Sequence, residues 1–129
     1  MRVKTVSVRA GLLAATAALG VGSLLAPAAM AATPPSTISK GDTGHGVWCV
    51  QHAVNLYYET YYNKKSGPLA EDAVFGTSTA DWVAWYQGKY GLHADSVVGK
   101  NTGFWMIIDD GYYSNYCKAY VPHGSHPIG

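Results

Sequence analysis

The chain has 129 residues, which is enough for one domain of moderate size. Nine basic and eight acidic side chains give a formal net charge of +1. Three of the basic residues lie within the first nine positions, and without them the net charge is −2. This argues against a nucleic-acid-binding protein and against a polybasic membrane ligand, because both depend on an excess of positive charge.

Residues 1–31 have the pattern of a secretory signal peptide. Three basic residues precede an apolar stretch over 10–25, and a small-residue cleavage site follows at Ala29–Ala31. Cleavage after Ala31 would leave six basic and eight acidic side chains, and therefore a net charge of −2. An uncleaved anchor stays open as an alternative, because residues 10–31 just reach the ~20 residues that a spanning helix needs. We expect an exported, soluble protein that is secreted or associated with the cell wall, with neither nucleic acid nor membrane as a partner.

The segment that follows predicts a linker and then a first helix. Residues 32–40 contain two consecutive prolines and small polar residues, which favour an extended linker. A turn at 41–44 leads into apolar residues at three- and four-residue intervals, beginning at Val47. This spacing predicts an amphipathic helix over about 44–59.

Two further helices complete the predicted fold. A second apolar stripe runs from Thr79 to Tyr90, and a shorter helix is expected over about 100–109. The Tyr-rich tail that begins at Gly111 closes the domain at about residue 120, and we expect residues 121–129 to be flexible. The fold class is therefore all-α: a small three-helix bundle over residues 41–120, including the tail.

Two copies of one local pattern precede the second and third helices. Each copy reads Asp, a small residue, Val, an apolar residue and Gly, with Thr three residues later and Trp three residues after that. We expect each copy to place an apolar residue in the core, to use Gly for a tight start of the helix, and to put Thr in its first turn. The Asp side chains are expected to stabilise the turns by bonding to nearby backbone. The structural turn residues are Asp72, Gly76 and Thr79 in one copy and Asp95, Gly99 and Thr102 in the other.

The chain has two cysteines, Cys49 and Cys117, and no metal-ligand spacing around them. In an oxidising compartment such a pair is expected to form a disulfide. The bond would draw the tail across the outside of the first helix, next to Trp48. The tail tyrosines would then either form one wall of a groove or cover an exposed apolar patch.

Residues 41–105 resemble the small helical peptidoglycan-binding domain found on many bacterial cell-wall hydrolases. The family's first motif is matched by Gly41, Gly44, Val47, Val50-Gln51 and Asn55; its second by Asp72, Val74, Phe75, Gly76, Thr79, Val83 and Tyr86-Gln87; its third by Gly91-Leu92, Asp95, Val97, Val98, Gly99 and Thr102. Two positions depart from the pattern. Ser96 stands where the family has Gly, which makes the turn harder to form if it needs a positive φ. Gly103 stands where the family has Trp, and the Trp is displaced to position 105.

The resemblance implies a non-catalytic module that binds peptidoglycan. Such a polymer of amino sugars and short peptides calls for flat aromatic faces and a few directional polar groups. On a helical wheel, Trp48 faces outward with His45 and His52, and Trp85 lies towards solvent on the second helix. The candidate ligand-binding residues are Trp48, Trp85, Tyr62 and Lys89, whereas Trp82 and Trp105 are expected mainly to pack.

We expect no metal, no cofactor and no catalysis. His45 and His52 lie two helical turns apart, and His123 and His126 lack a helical frame, so no tetrahedral ligand set is complete. The serines lack a nucleophile motif, and the paired acids are adjacent in sequence rather than facing across a bond. Two alternatives stay open: an exported interaction protein that recruits or inhibits a cell-wall hydrolase, and a minimal wall-lytic enzyme.

Overall fold

The computed structural model describes residues 33–126, and the predicted signal peptide lies outside them. This part of the chain folds into helices, as predicted. Three main helices are joined by turns and followed by a short helical tail. Helix α1 spans His45–Tyr62, α2 Thr77–Lys89 and α3 Lys100–Asp109; a 3₁₀ turn, Gly111–Tyr113, leads into α4, Ser114–Cys117. Helix α1 is longer than predicted by almost one turn, because Tyr61 and Tyr62 continue it until Asn63 ends it in the left-handed conformation.

The core lies between the three main helices. The predicted α1 stripe is buried, with Val47, Val50 and Val54 at most 1 % exposed. Tyr86 of α2 and Met106 of α3 meet that stripe and are fully buried. Burial of such side chains contributes roughly 1.5–3 kcal/mol each, so the bundle depends on this contact.

The segment before α1 packs on the domain rather than acting only as a linker. Ile38 is 3 % exposed. Its backbone N–H and carbonyl form two hydrogen bonds with Val98, of 3.0 and 2.8 Å. Thr43 forms an equivalent isolated bridge with Val74. The packed domain therefore begins before the boundary predicted at residue 41.

Each repeated turn is held by a glutamine from the preceding helix. The Gln51 amide lies between the first turn and α2: its Nε2 is 3.0 Å from Asp72 Oδ1 and 3.1 Å from Thr79 Oγ1. Its Oε1 accepts from the N–H of Ala73 at 2.9 Å. The hydrogen bond from Gln51, and then that from the N–H of Val74, hold the pKa of Asp72 below its usual value.

The second turn repeats this network with Gln87. Its Nε2 is 3.0 Å from Asp95 Oδ1 and 3.1 Å from Thr102 Oγ1. Its Oε1 accepts from the N–H of Ser96 at 3.0 Å. The sequence repeat is therefore a structural repeat, and the buried glutamine is its central residue.

Positive φ angles fall at the second residue of each turn. Ala73 has φ 62° and Ser96 has φ 63°. The turn therefore does need a positive φ at Ser96, and Ala73 meets the same requirement in the other copy. Gly76 and Gly99 do not have the role expected of them, which was to allow a tight start of the helix. Both have an extended backbone, and an added Cβ would meet nothing within 4 Å. Sterics at these two positions do not demand glycine.

The tail is tied to the helices at two places. A disulfide joins Cys49 of α1 to Cys117 of α4, as predicted. Further on, the carbonyl of Pro122 approaches α3 so closely that a Cβ at position 103 would overlap it. Gly103 therefore replaces the family's Trp because the tail occupies that space. Val121 is fully buried, so the start of the predicted flexible C-terminus is packed.

Candidate functional site

A groove lies between the first turn of α1 and the tail. Its volume is about 810 Å³. Aromatic rings from both sides line it, together with a few small or polar residues. The lining residues are Gly44, His45, Trp48, Ala73, Tyr112, Tyr113, Asn115 and Tyr116.

Trp48 is held in place by rings on several sides. Its indole stacks on the His52 imidazole, with centroids 4.7 Å apart and planes 10° from parallel. Tyr113 and Tyr116 approach it edge-on, with centroids at 5.2 and 6.3 Å. His52 is in turn 3.3 Å from the Glu71 carboxylate. Such packing limits the rotamers of Trp48, so that binding a ligand there would cost little side-chain entropy.

The disulfide places the two walls of the groove against each other. Cys49 follows Trp48 in α1, and Cys117 follows Tyr116 in α4, so the covalent bond joins the two positions next to these rings. The Tyr116 hydroxyl also forms a hydrogen bond with His45 Nδ1. Of the two outcomes that the sequence left open, the tail lines a groove rather than merely covering a patch.

The groove combines flat apolar faces with neutral polar groups at its edge. Tyr112 is 93 % exposed and Tyr113 is 40 % exposed. The hydroxyls of Tyr113 and Tyr116 and the Asn115 amide can donate and accept hydrogen bonds. Aromatic faces flanked by a few polar groups suit a ligand with apolar CH faces and hydroxyl or amide substituents.

The other three candidate residues form a separate aromatic cluster. Tyr62 and Trp85 lie with their ring planes 26° from parallel and their centroids 6.2 Å apart. The Lys89 ammonium lies 5.4 Å from the Trp85 ring centroid and 4.5 Å from that of Tyr61. We call Tyr61, Tyr62, Trp85 and Lys89 the distal platform. The structure therefore does not bring the four predicted residues together: Trp48 belongs to the groove, and the rest belong to the distal platform.

Part of the chain is similar to a known protein family. Residues 54–106 match the model of a family described as "Putative peptidoglycan binding domain". No curated protein and no solved structure gave a significant match to the chain. The match includes the second and third motifs, over which the resemblance noted in the sequence is confirmed.

The matched segment and the groove cover different parts of the molecule. The matched segment starts within α1 and includes the whole distal platform. Trp48, Tyr113 and Tyr116 lie outside it. Gln51 also precedes the match, yet it holds the first turn as Gln87 holds the second. The structural unit that contains the matched segment therefore begins before residue 54.

A buried carboxyl group lies beneath the tail. Asp110 is completely buried, and neither of its oxygens has a hydrogen-bond partner among residues 33–126. Burial, followed by the charges of Asp109 and Glu71, raises the pKa of Asp110 to about 8. The neighbouring Asp109 differs in its hydrogen bonding: its carboxylate accepts hydrogen bonds from the hydroxyls of Tyr86 and Tyr90. At neutral pH Asp110 is mostly protonated, and it points into the core rather than the groove.

One group of potential metal ligands occurs within residues 33–126. One ligand atom each from Cys49, Asp110 and Cys117 lies within 4.8 Å of the others. The two sulfur atoms are bonded to each other in the disulfide, so they are not thiolates that could bind a metal. No helix within the described part is long and apolar enough to cross a bilayer.

Sequence reasoning identified Trp48 but missed what fixes it. The stacking of Trp48 on His52 follows from their four-residue spacing on one helix, which was available in the sequence. The edge contacts from Tyr113 and Tyr116 depend on how the disulfide seats the tail, and no local pattern encodes that. Asp110 was considered only as one of two adjacent acids, and its carboxyl lies within 4.8 Å of the disulfide sulfurs that anchor the tail.

Proposed function

We propose that this protein is an exported, non-catalytic module that binds peptidoglycan in the groove around Trp48. The observation that carries the proposal is the preorganised aromatic surface of that groove. Trp48 stacks on His52 and is flanked by two tail tyrosines. The family of residues 54–106 supports the same ligand class.

The chemistry of the groove matches an amino-sugar polymer. The faces of pyranose rings and the methyls of acetamido groups are apolar and pack on indole and phenol rings. Their hydroxyl and amide groups can exchange hydrogen bonds with Asn115 and the tyrosine hydroxyls. We expect weak affinity for one module, because few contacts are available and a flexible glycan must be ordered.

The placement of the acidic residues supports a non-catalytic role. Asp72 and Asp95 bond to turn backbone, at 3.0 and 2.9 Å from the N–H groups of Val74 and Val97. Asp109 is bonded to two tyrosine hydroxyls. None of these carboxyl groups, nor that of Asp110, lines the groove. Glycoside hydrolysis needs two carboxyl groups facing one bond, and the groove does not offer such a pair.

The proposal is tested by co-sedimentation of the mature protein with insoluble purified peptidoglycan. We expect the protein to appear in the pellet and to resist a wash with 0.5 M salt, about three times physiological ionic strength, because stacking rather than net charge drives the binding. A protein of similar size without aromatic surface patches controls for trapping. Recovery of all the protein in the supernatant, while a known wall binder pellets, would refute the proposal.

The same preparation tests the two alternative functions. A groove of this size can also hold a loop of a partner protein. Recruitment or inhibition of a cell-wall hydrolase is therefore the second candidate function. Pulldown from wall-free secreted proteins would then recover a hydrolase that depends on Trp48. A lytic enzyme would instead lower the turbidity of a wall suspension. Our proposal predicts neither result.

A further inference from the structure

The distal platform is the second exposed aromatic surface of the domain. Tyr61 is 55 % exposed and Tyr62 is 42 % exposed, although both are large rings. Both belong to the last turn of α1, and Trp85 faces them from α2. Packing of the core does not require these exposed rings, so their clustering calls for another explanation.

The platform is supported from behind by a second layer of rings. Trp82 meets Trp85 edge-on, with centroids 5.1 Å apart. Tyr58 lies 5.4 Å from Trp82 and 4.8 Å from Tyr62. This support fixes the orientation of Tyr62 and Trp85 before any ligand arrives. Both surfaces of the domain thus share the design of an outer ring that rests on inner rings.

Lys89 adds a charge that the groove around Trp48 lacks. Its ammonium lies over the Tyr61 and Trp85 rings, at 4.5 and 5.4 Å from their centroids. Within residues 33–126 it forms no ion pair. An exposed cation–π contact is worth only about 0.5–1 kcal/mol, so a ligand carboxylate can draw the ammonium away from the rings. A ligand that offers both a sugar face and a carboxylate therefore fits the platform.

The two surfaces lie near opposite ends of α1. Trp48 is in its first turn and Tyr62 is its last residue, 14 positions later. At a rise of about 1.5 Å per residue, this separates the two positions by about 21 Å along the helix axis. A short ligand fragment cannot bridge this distance and occupy both surfaces, whereas a long polymer can reach both.

We propose that the distal platform is a second binding site for the same wall polymer, selective for a carboxylate-bearing amino-sugar unit, so that each molecule binds peptidoglycan bivalently. This inference rests on the proposed function of the groove. Two weak sites on one molecule raise the retention on an insoluble polymer by 10²–10⁴-fold over either site alone, when both can engage together. Bivalency thus explains how a small module with weak sites remains on the wall.

The test is an NMR titration with a soluble disaccharide-peptide fragment of peptidoglycan. The chain has four tryptophans, at positions 48, 82, 85 and 105, and each indole N–H is a separate reporter. We expect the signals of Trp48 and Trp85 to shift with independent saturation curves, and that of Trp105 to stay constant. The double variant Tyr62→Ala/Lys89→Gln should remove the Trp85 curve and leave the Trp48 curve unchanged. Both substituted side chains are exposed, so the fold should be retained.

Co-sedimentation with insoluble peptidoglycan measures the bivalent effect. The platform variant should lose at least tenfold in apparent wall affinity. Lys100→Gln is the matched control, because it removes one exposed cation at the start of α3, and it should bind like the wild type. A shift at Trp48 alone, with unchanged wall affinity of the platform variant, would overturn the second site and leave the groove intact. A shift at Trp85 alone would overturn the groove as the site, and no shift at either would refute both.

Discussion

Replacement of Asp110 by Asn should make the protein more stable at neutral pH. The Asp110 carboxyl is fully buried, with no hydrogen-bond partner among the described residues. Its pKa is raised from 3.8 to about 8, first by burial and then by the charges of Asp109 and Glu71. Because the folded-state pKa lies above the unfolded value, this group contributes most to stability below about pH 4. That contribution is lost as the pH rises towards 8.

The size of the effect follows from this pair of pKa values. Between pH 5 and pH 7 the unfolded chain is ionised at Asp110, while the folded protein keeps the proton. The free energy of unfolding therefore falls by about 3 kcal/mol over these two pH units, at 1.36 kcal/mol per unit. Asn is a neutral residue of the same shape, so the Asp110→Asn variant lacks this loss.

Urea unfolding at a series of pH values measures this difference. The wild type and Asp110→Asn should differ by about 3 kcal/mol more at pH 7 than at pH 5, and the variant should be the more stable protein at pH 7. The comparison removes the contributions of histidines and other carboxyl groups, which both proteins share. Parallel stability curves over this range would refute the assignment of a protonated, buried Asp110.

Three further predictions concern the turns and the tail. Ala73→Gly should stabilise the fold by about 1 kcal/mol in urea unfolding, because Ala73 has φ 62° and glycine has no Cβ penalty there; a destabilised variant would contradict this. Gly103→Ala should destabilise the protein by about 1–3 kcal/mol and release the tail, since its Cβ would overlap the Pro122 carbonyl; unchanged amide exchange in the tail would contradict this. Replacing Cys49 and Cys117 by Ala should cost about 4 kcal/mol, as expected for a bridge between residues 68 positions apart, and should also lower wall binding. An unchanged thermal transition after loss of the disulfide would contradict that estimate.

The helices could be predicted because local signals agree with the packing. The α1 stripe that begins at Val47 is the stripe that the core buries, and α3 has the predicted bounds. The two turns were visible as a repeat, and Thr79 and Thr102 lie in the first turns of their helices as expected. These features depend on neighbours within a few residues, which sequence patterns encode.

The remaining features depend on contacts between distant segments. Gln51 lies 21 positions before Asp72, and only the fold shows that it bonds to the turn as Gln87 does. Ile38 looked like part of a linker because its backbone pairing with Val98 leaves no local pattern. The burial of Asp110 leaves no local pattern either, because its carboxyl lies beside the disulfide that anchors the tail.

The candidate site shows the same division. Helical phase identified Trp48 and Trp85 as outward-facing, with Tyr62 and Lys89 as further candidates, but it gave no distances between helices. The structure separates Trp48 from the other three and supplies the tail tyrosines that complete its groove.

The most direct test of the account is the dissociation constant of Trp48 variants for insoluble peptidoglycan. We expect Trp48→Ala to weaken binding about fivefold or more, because the loss of a stacked aromatic contact costs about 1 kcal/mol. Trp48→Phe should restore part of the loss, and Trp105→Ala, which removes an indole that stacks on Tyr90 outside the groove, should bind like the wild type once its folding is verified. A folded Trp48→Ala variant that binds peptidoglycan with the wild-type constant would contradict the central claim.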